Sequence, residues 1–247
     1  METQMPTTQV PRIFDREAAA AKWARARSRL QLQDSASYLY YAIADDIADR
    51  LDFMRFDAEA ALVVGDQTGG VSATTRAQLG EFDEEVPASF EGYDLIAHIL
   101  GLGTVNDLPG ALIHVRAALK EGGLFIAAFP GAGSLPVLRQ IALEADVDQP
   151  AARMHPLVDN RAGTALLERA GFARKVVDSF PLNVRFSSLG QLISDLRDHG
   201  LTRSLNTPVP PLTRAWLKRA EAAFDQRREV DGKVTETFNI LVLTGWR

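Results

Sequence analysis

Cysteine is absent from the 247 residues, which removes disulfides, thiolate metal sites and cysteine nucleophiles together. No stretch approaches the roughly 18 consecutive apolar residues that a membrane-spanning helix needs, so the expectation is a soluble, cytoplasmic protein. Excess positive charge is lacking too. The chain has 27 Lys and Arg against 32 Asp and Glu, a net charge of −5 and a pI of about 5.4, and that balance argues against general nucleic-acid binding. The four histidines, His98, His114, His155 and His199, have no spacing that would turn two of them toward one metal from neighbouring helical turns, so no metal site is expected. His98 stands alone in an apolar run and reads as a core residue with a satisfied hydrogen bond. There is no Gly-x-Ser-x-Gly elbow, no phosphate-binding lysine loop and no carboxylate pair in a clear catalytic setting. No catalytic residue can therefore be assigned.

What is present suits one α/β domain. The apolar share of 46% is enough for a sizeable core. Residues 1–12 are polar, carry Pro6 and Pro11 and read as a loose tail, leaving residues 13–247 as a single domain. Its centre is a strand–helix–strand unit over residues 90–133. Residues 95–100 form a short apolar run bounded by turn residues, as in a strand buried on both faces. Asn106 or Asp107 can cap the next helix, Pro109 falls where a first-turn proline is tolerated, and Leu112, Val115 and Leu119 recur at helical spacing. Gly122-Gly123 is the expected end of that helix, and residues 124–129 the next strand, reached by a right-handed crossover.

Around that unit, residues 13–55 read as two N-terminal helices, the first alanine-rich and basic, the second apolar at Leu39, Ile43, Ile47 and Leu51. Asp45, Asp46 and Asp49 then lie on a solvated face. Residues 60–64 form a strand leading into Gly65-Asp66-Gln67-Thr68-Gly69-Gly70. Helices follow at 135–145 and 162–170, the latter closed by Gly171. A strand at 173–184, helices at 188–199 and 212–227 and a last alternating strand at 235–246 complete the chain. Residues 188–228 are a helical insertion before that last strand.

Three runs carry a family resemblance: Tyr93-Asp94-Leu95-Ile96, then Val105-Asn106-Asp107-Leu108-Pro109-Gly110-Ala111-Leu112, then Leu119-Lys120-Glu121-Gly122-Gly123-Leu124-Phe125. They resemble the fourth- and fifth-strand region of class I S-adenosylmethionine (SAM) methyltransferases. The likeness is strongest to the branch that contains the complex I assembly factor acting as an arginine hydroxylase, with the carrier-protein methyltransferase of biotin synthesis more distant. Val-Asn-Asp-Leu-Pro is the most branch-specific piece. Phe14 and Arg16, the basic residues Arg25, Arg27 and Arg29, the string Leu166-Leu167-Glu168-Arg169-Ala170-Gly171-Phe172 and the Leu243-Thr244-Gly245-Trp246 ending match as well. The resemblance implies a Rossmann-like sandwich and SAM as cofactor. It implies that the first helix covers the cofactor pocket, although a basic helix packed on the surface by Trp23 and Leu30 is the alternative. It further implies a protein or small-molecule substrate recognised by the insertion, and by analogy a quinone-oxidoreductase subunit as partner.

By the same resemblance Gly65, Thr68 and Gly69 form the glycine loop at the methionine end of SAM, followed by a helix whose free N–H groups suit a carboxylate. Asp83 inherits the hydrogen bond to the adenine amino group, and Glu84 is a further cofactor-binding candidate. The departures are as informative. The family's acid two places before the first glycine is Val63 here, the branch's His-Trp is Gly103-Thr104, and the acid after the fifth strand is missing from Gly131-Ala132-Gly133-Ser134-Leu135. Two crossovers with their strands need on the order of 35–45 residues, yet Gly70 to Glu91 spans 22. At least one helix and one strand must be missing, leaving a shortened sheet. Residues 77–82 are expected to be the family's third strand, so the lost strand is the second, with its ribose-binding acid. Losing that acid forfeits charge-assisted hydrogen bonds worth roughly 1.5–3 kcal/mol each unless Asp66, Glu84 or Glu85 substitutes. Two readings follow: a methyltransferase-like protein with weakened or lost SAM chemistry, serving as a binding or assembly module, or an active SAM-dependent modifying enzyme.

Overall fold

Six strands form one sheet in the order β2-β1-β3-β4-β6-β5, in a computed structural model that describes residues 11–87, 92–147 and 150–247. Most of the expected tail, residues 1–10, and Phe90 and Glu91 at the start of the expected central unit lie outside the described residues. The strands are β1 Ala61–Val64, β2 Thr75–Ala77, β3 Tyr93–Ile99, β4 Leu119–Pro130, β5 Arg174–Phe186 and β6 Val234–Trp246. The helices are α1 Arg16–Arg29, α2 Tyr38–Met54, α3 Leu108–Ala118, α4 Pro136–Ala145, α5 Asn160–Arg169, α6 Leu189–Asp198 and α7 Arg214–Asp225.

The sequence explains the central strands. β1 is Ala-Leu-Val-Val with every residue buried, the near-continuous apolar run of a strand covered on both faces. It pairs in parallel with β2 and β3, and β3 with β4. β6 then enters antiparallel between β4 and β5. This is the Rossmann-like arrangement expected, with α6 and α7 as the insertion before the last strand. Five helices start on a side-chain cap: Asp15, Asp107, Asp159, Ser188 and Thr213 each accept an N–H three residues on, satisfying donors that a helix start leaves unpaired. Asp46 on α2 is not merely solvated, because Arg50 bridges it to Asp178 of β5.

Two expectations need correction. The strand foreseen at 77–82 is β2, at Thr75–Ala77, and it lies directly beside β1 with Leu62 opposite Thr75 and Val64 opposite Ala77. Residues 78–82 instead turn, with Gly80 at φ +84° and an isolated bridge from Leu79 to Phe82. A left-handed residue breaks an extended run, and glycine adopts it without a side-chain penalty. Among the described residues between β1 and β3 there is no helix, so both crossover helices are gone and one strand with them.

The second correction concerns Gly122-Gly123, which do not end α3. Leu119 takes that role by adopting an extended conformation at φ −74°, ψ 150° and pairing with Tyr93. The two glycines then carry an irregularity inside β4, where the pairing shifts from Tyr93–Leu119 to Leu95–Leu124; Gly122 sits at φ +78°. The parallel strands β1, β3 and β4 therefore run into three neighbouring loops, at 65–74, 100–107 and 131–135. Open α/β sheets bind ligands outside the carboxyl ends of their strands.

Candidate functional site, a closed crevice beside an open cavity

Gly65, at the end of β1, has φ +83°, and a Cβ added there would lie 2.5 Å from the carbonyl oxygen of Ile99 and 3.0 Å from Leu79 Cγ. A Cβ on Gly101, just past β3, would collide with Leu79 Cδ2 and lie 2.5 Å from His98 Cε1. The buried Leu79 side chain thus occupies the space between the two glycines. It is held from above by α1. Arg27 donates to the Leu79 carbonyl at 2.6 Å and to Glu81 at 2.6 Å, and Gly80 packs so tightly on α1 that its Cβ would be 3.0 Å from Ala20 Cα. The first helix does cover this end of the sheet, and it does so by pressing the 78–82 turn into the crevice.

The glycine loop has its own anion. Asp66 Oδ1 accepts from the Thr68 N–H at 2.8 Å, the Thr68 hydroxyl at 2.7 Å and the Gly69 N–H at 3.1 Å. Its Oδ2 accepts from the Val71 N–H at 3.2 Å and from Arg76 at 3.0 Å. The Gly70 N–H goes to the Thr68 hydroxyl at 3.0 Å. Burial opposes ionisation of Asp66, yet the bonds from Thr68, Arg76 and Val71 outweigh it and hold the carboxyl below its usual range. The expected helix after this loop is absent, and the N–H groups it was to offer are taken.

The other acids are committed as well. Glu84 Oε1 lies 3.1 Å from Nε2 of the buried His98, while His98 Nδ1 has no partner among the described residues, so the expected satisfied histidine is satisfied at one nitrogen only. Glu85 accepts the N–H groups of Asn106 at 2.9 Å and Asp107 at 3.3 Å. Asp83 pairs with Arg16 at 2.5 Å, and that guanidinium holds its carboxyl below the usual range. Of the candidates, Gly65, Thr68 and Gly69 come together at the end of β1. Asp83 and Glu84 stand apart from one another in their bonding, one turned to α1 and the other to β3.

A cavity of about 730 Å³ opens beside this crevice, and none of Gly65, Thr68, Gly69, Asp83 or Glu84 lines it. Its wall includes Gly103, Thr104 and Ser134, from the loops after β3 and β4 where the branch's His-Trp and acid are missing. Lys22, Arg25 and Arg29 reach it from α1 and Arg139 from α4. Arg153, Arg197 and Arg203 complete a cationic lining that contains no Asp or Glu. Burial pulls Lys22 down to about 7, with Arg25 adding to the shift. His155 is pulled down to about 3 by burial and by the charges of Lys22, Arg203 and Arg139. Sequence reasoning singled out Arg25 and Arg29 but missed the rest, because they are scattered over some 180 positions and meet only through the insertion. Glu236 was missed too. Buried on β6, it accepts the N–H groups of Val137 at 3.3 Å and Leu138 at 2.7 Å at the start of α4, and its charge also acts on Arg139 of the cavity wall without forming a salt bridge. Among the described residues no group of His, Asp and Glu could hold a metal ion, and no helix is long and apolar enough to cross a membrane.

No family model matches the chain. Sequence relatives exist among characterised proteins. The chain is 31% identical over 170 residues to the human arginine-hydroxylase NDUFAF5, mitochondrial, covering 67% of this chain and 49% of that protein. The mouse protein of the same name is 30% identical over 67% of this chain and 50% of its own length. The chain therefore spans about half the length of these curated relatives. A malonyl-[acyl-carrier protein] O-methyltransferase 1 from Coxiella burnetii is 24% identical over 96% of this chain and 89% of the relative. Among solved structures, a Thermotoga maritima SAM-dependent methyltransferase aligns with 93% of this chain and 98% of its own at 11% identity and a TM-score of 0.49.

Proposed function

This chain belongs to the class I SAM-dependent methyltransferase family, near the NDUFAF5 branch, and we propose that within it the protein has weakened or lost SAM chemistry and works by binding a ligand or partner on the substrate side. The observation that carries this reading is Leu79, buried between Gly65 and Gly101 where the ends of β1 and β3 part. A nucleoside placed there would have to expel that side chain and break the Glu84–His98 contact. Its ribose would find no free carboxylate, since Asp66, Glu84 and Glu85 already accept from their own chain. The methionine carboxylate would compete with Asp66 for the loop N–H groups. These residues do not fit SAM.

The open cavity supplies what the crevice lacks, namely space, apolar wall and uncompensated charge. The second reading, an active SAM-dependent enzyme modifying a protein or small molecule, draws on Gly65 and Gly69, which keep left-handed conformations at φ +83° and +75°. Calorimetric titration with SAM and with S-adenosylhomocysteine separates the two. The proposal expects no heat of binding up to millimolar ligand. Saturable binding at micromolar concentration would return the chain to the enzymes.

A further inference from the structure

The cavity reads as a compartment of two parts. Leu100, Leu135, Leu138, Ile193, Leu196 and Trp216 give it an apolar wall, and its volume of about 730 Å³ falls within the range of roughly 300–1,000 Å³ of small-molecule sites. The charges on it are unevenly compensated. Arg29 is paired with Asp198 at 2.5 Å and Arg153 with Asp146 at 2.7 Å. Lys22, Arg25, Arg139, Arg197 and Arg203 form no salt bridge to any carboxylate among the described residues. Lys22 is the most telling of these, because the residue is 4% exposed and its amine meets the Thr202 carbonyl and the Ser204 hydroxyl, each at 3.2 Å, and the Trp23 ring at 5.0 Å from its centroid, all of them uncharged. Burial without a counter-charge favours the neutral amine, and an anion bound beside it would favour the charged form. The chain as a whole is acidic, at −5, so this cluster is a local inversion of sign rather than a general basic character.

We propose that this cavity binds a single-chain anionic amphiphile, its head on the Lys22–Arg25–Arg139–Arg197–Arg203 cluster and its aliphatic chain along the apolar wall. A fatty carboxylate and an alkyl phosphate share this chemistry. The inference goes beyond the reading of the closed crevice and stands apart from it: SAM titration succeeds or fails at Leu79, amphiphile binding at the cation cluster.

The test uses the full chain with saturated carboxylates of eight to sixteen carbons, the methyl esters of the same acids and alkyl phosphates of equal length, each kept below its micelle threshold. Binding is followed by calorimetry and by the fluorescence of Trp216 against a Trp216→Phe control. Affinity is expected to rise about fourfold per added methylene, which corresponds to about 0.8 kcal/mol, until the chain fills the cavity. The methyl esters should bind at least tenfold more weakly than the acids. Arg25 and Arg197 are exposed and make no side-chain hydrogen bond, so Arg25→Gln with Arg197→Gln leaves folding intact. That pair should weaken the anionic ligands about tenfold and leave the esters unchanged. Tighter binding of the phosphate series assigns the head to a phosphate, tighter binding of the acids to a carboxylate. No saturable binding of either series, or equal affinity for acid and ester, overturns the proposal.

Discussion

The carboxylate of Asp66 accepts both the backbone N–H and the hydroxyl of Thr68, at 2.8 and 2.7 Å. In doing so it turns the glycine loop into a closed ring of hydrogen bonds in which the protein's own anion takes the place open to a ligand's. Removing it should cost stability without yielding a functional site. Asp66→Ala leaves the N–H groups of Thr68, Gly69 and Val71 and the Arg76 guanidinium without their acceptor, a loss of about 2–4 kcal/mol. Asp66→Asn keeps an acceptor for the Thr68 side and should lose less. The urea midpoint at constant slope measures both.

Acid should act through the same residue. The folded pKa of Asp66 lies below its unfolded value, so the unfolded chain binds the proton first as pH falls. Its contribution is complete above the unfolded pKa of about 3.9 and disappears as pH drops through the lower folded value. The wild-type protein should lose stability on acidification below about pH 4 more steeply than Asp66→Asn, as read from urea midpoints between neutral and acid pH.

Lys22 predicts a slope of the same sign on the alkaline side. It is pulled down to about 7 in the folded protein, against about 10.4 unfolded. Between those values the unfolded chain holds a proton that the folded chain has released, and stability rises with pH. The charged group that acts on it is Arg25 on its own helix, and across the cavity it acts in turn on His155, together with Arg203 and Arg139. Lys22→Met should flatten the rise between pH 7 and pH 10, whatever its effect on absolute stability. Chemical denaturation over that range reads the slope directly.

Leu79→Ala should cost about 2–5 kcal/mol, the loss for a buried leucine whose site cannot fully collapse. The glycines on either side have no side chain to move into the gap. A midpoint shift of less than about 1 kcal/mol would mean that Leu79 does not fill the crevice as described.

How much of this was legible in the sequence depended on range. Local chemistry announced itself: of the two caps offered, Asn106 or Asp107, the second opens the helix with Pro109 in its first turn, and the strand read at 60–64 forms as β1 at Ala61–Val64. The shortage between Gly70 and Glu91 was arithmetic, and the structure bears out a shortened sheet. Which strand survived was not readable, since three residues of β2 carry too little periodicity and their place is set by pairing with β1. Gly122-Gly123 misled because a glycine pair marks a helix end and a strand irregularity equally well; the buried Leu119 decided between them. The filling of the crevice was hidden for a different reason. Leu79 acts through Gly65, Gly101 and Arg27, far apart in sequence and joined only in the fold.

The most direct measurement of the central claim is a crystal structure grown in several-fold excess of S-adenosylhomocysteine. The account predicts Leu79 seated between Gly65 and Gly101, Glu84 against His98 and no nucleoside at the ends of β1 and β3. Density for adenosine in that crevice, with the 78–82 turn swung out and Asp83 or Glu84 on the base or ribose, would contradict it.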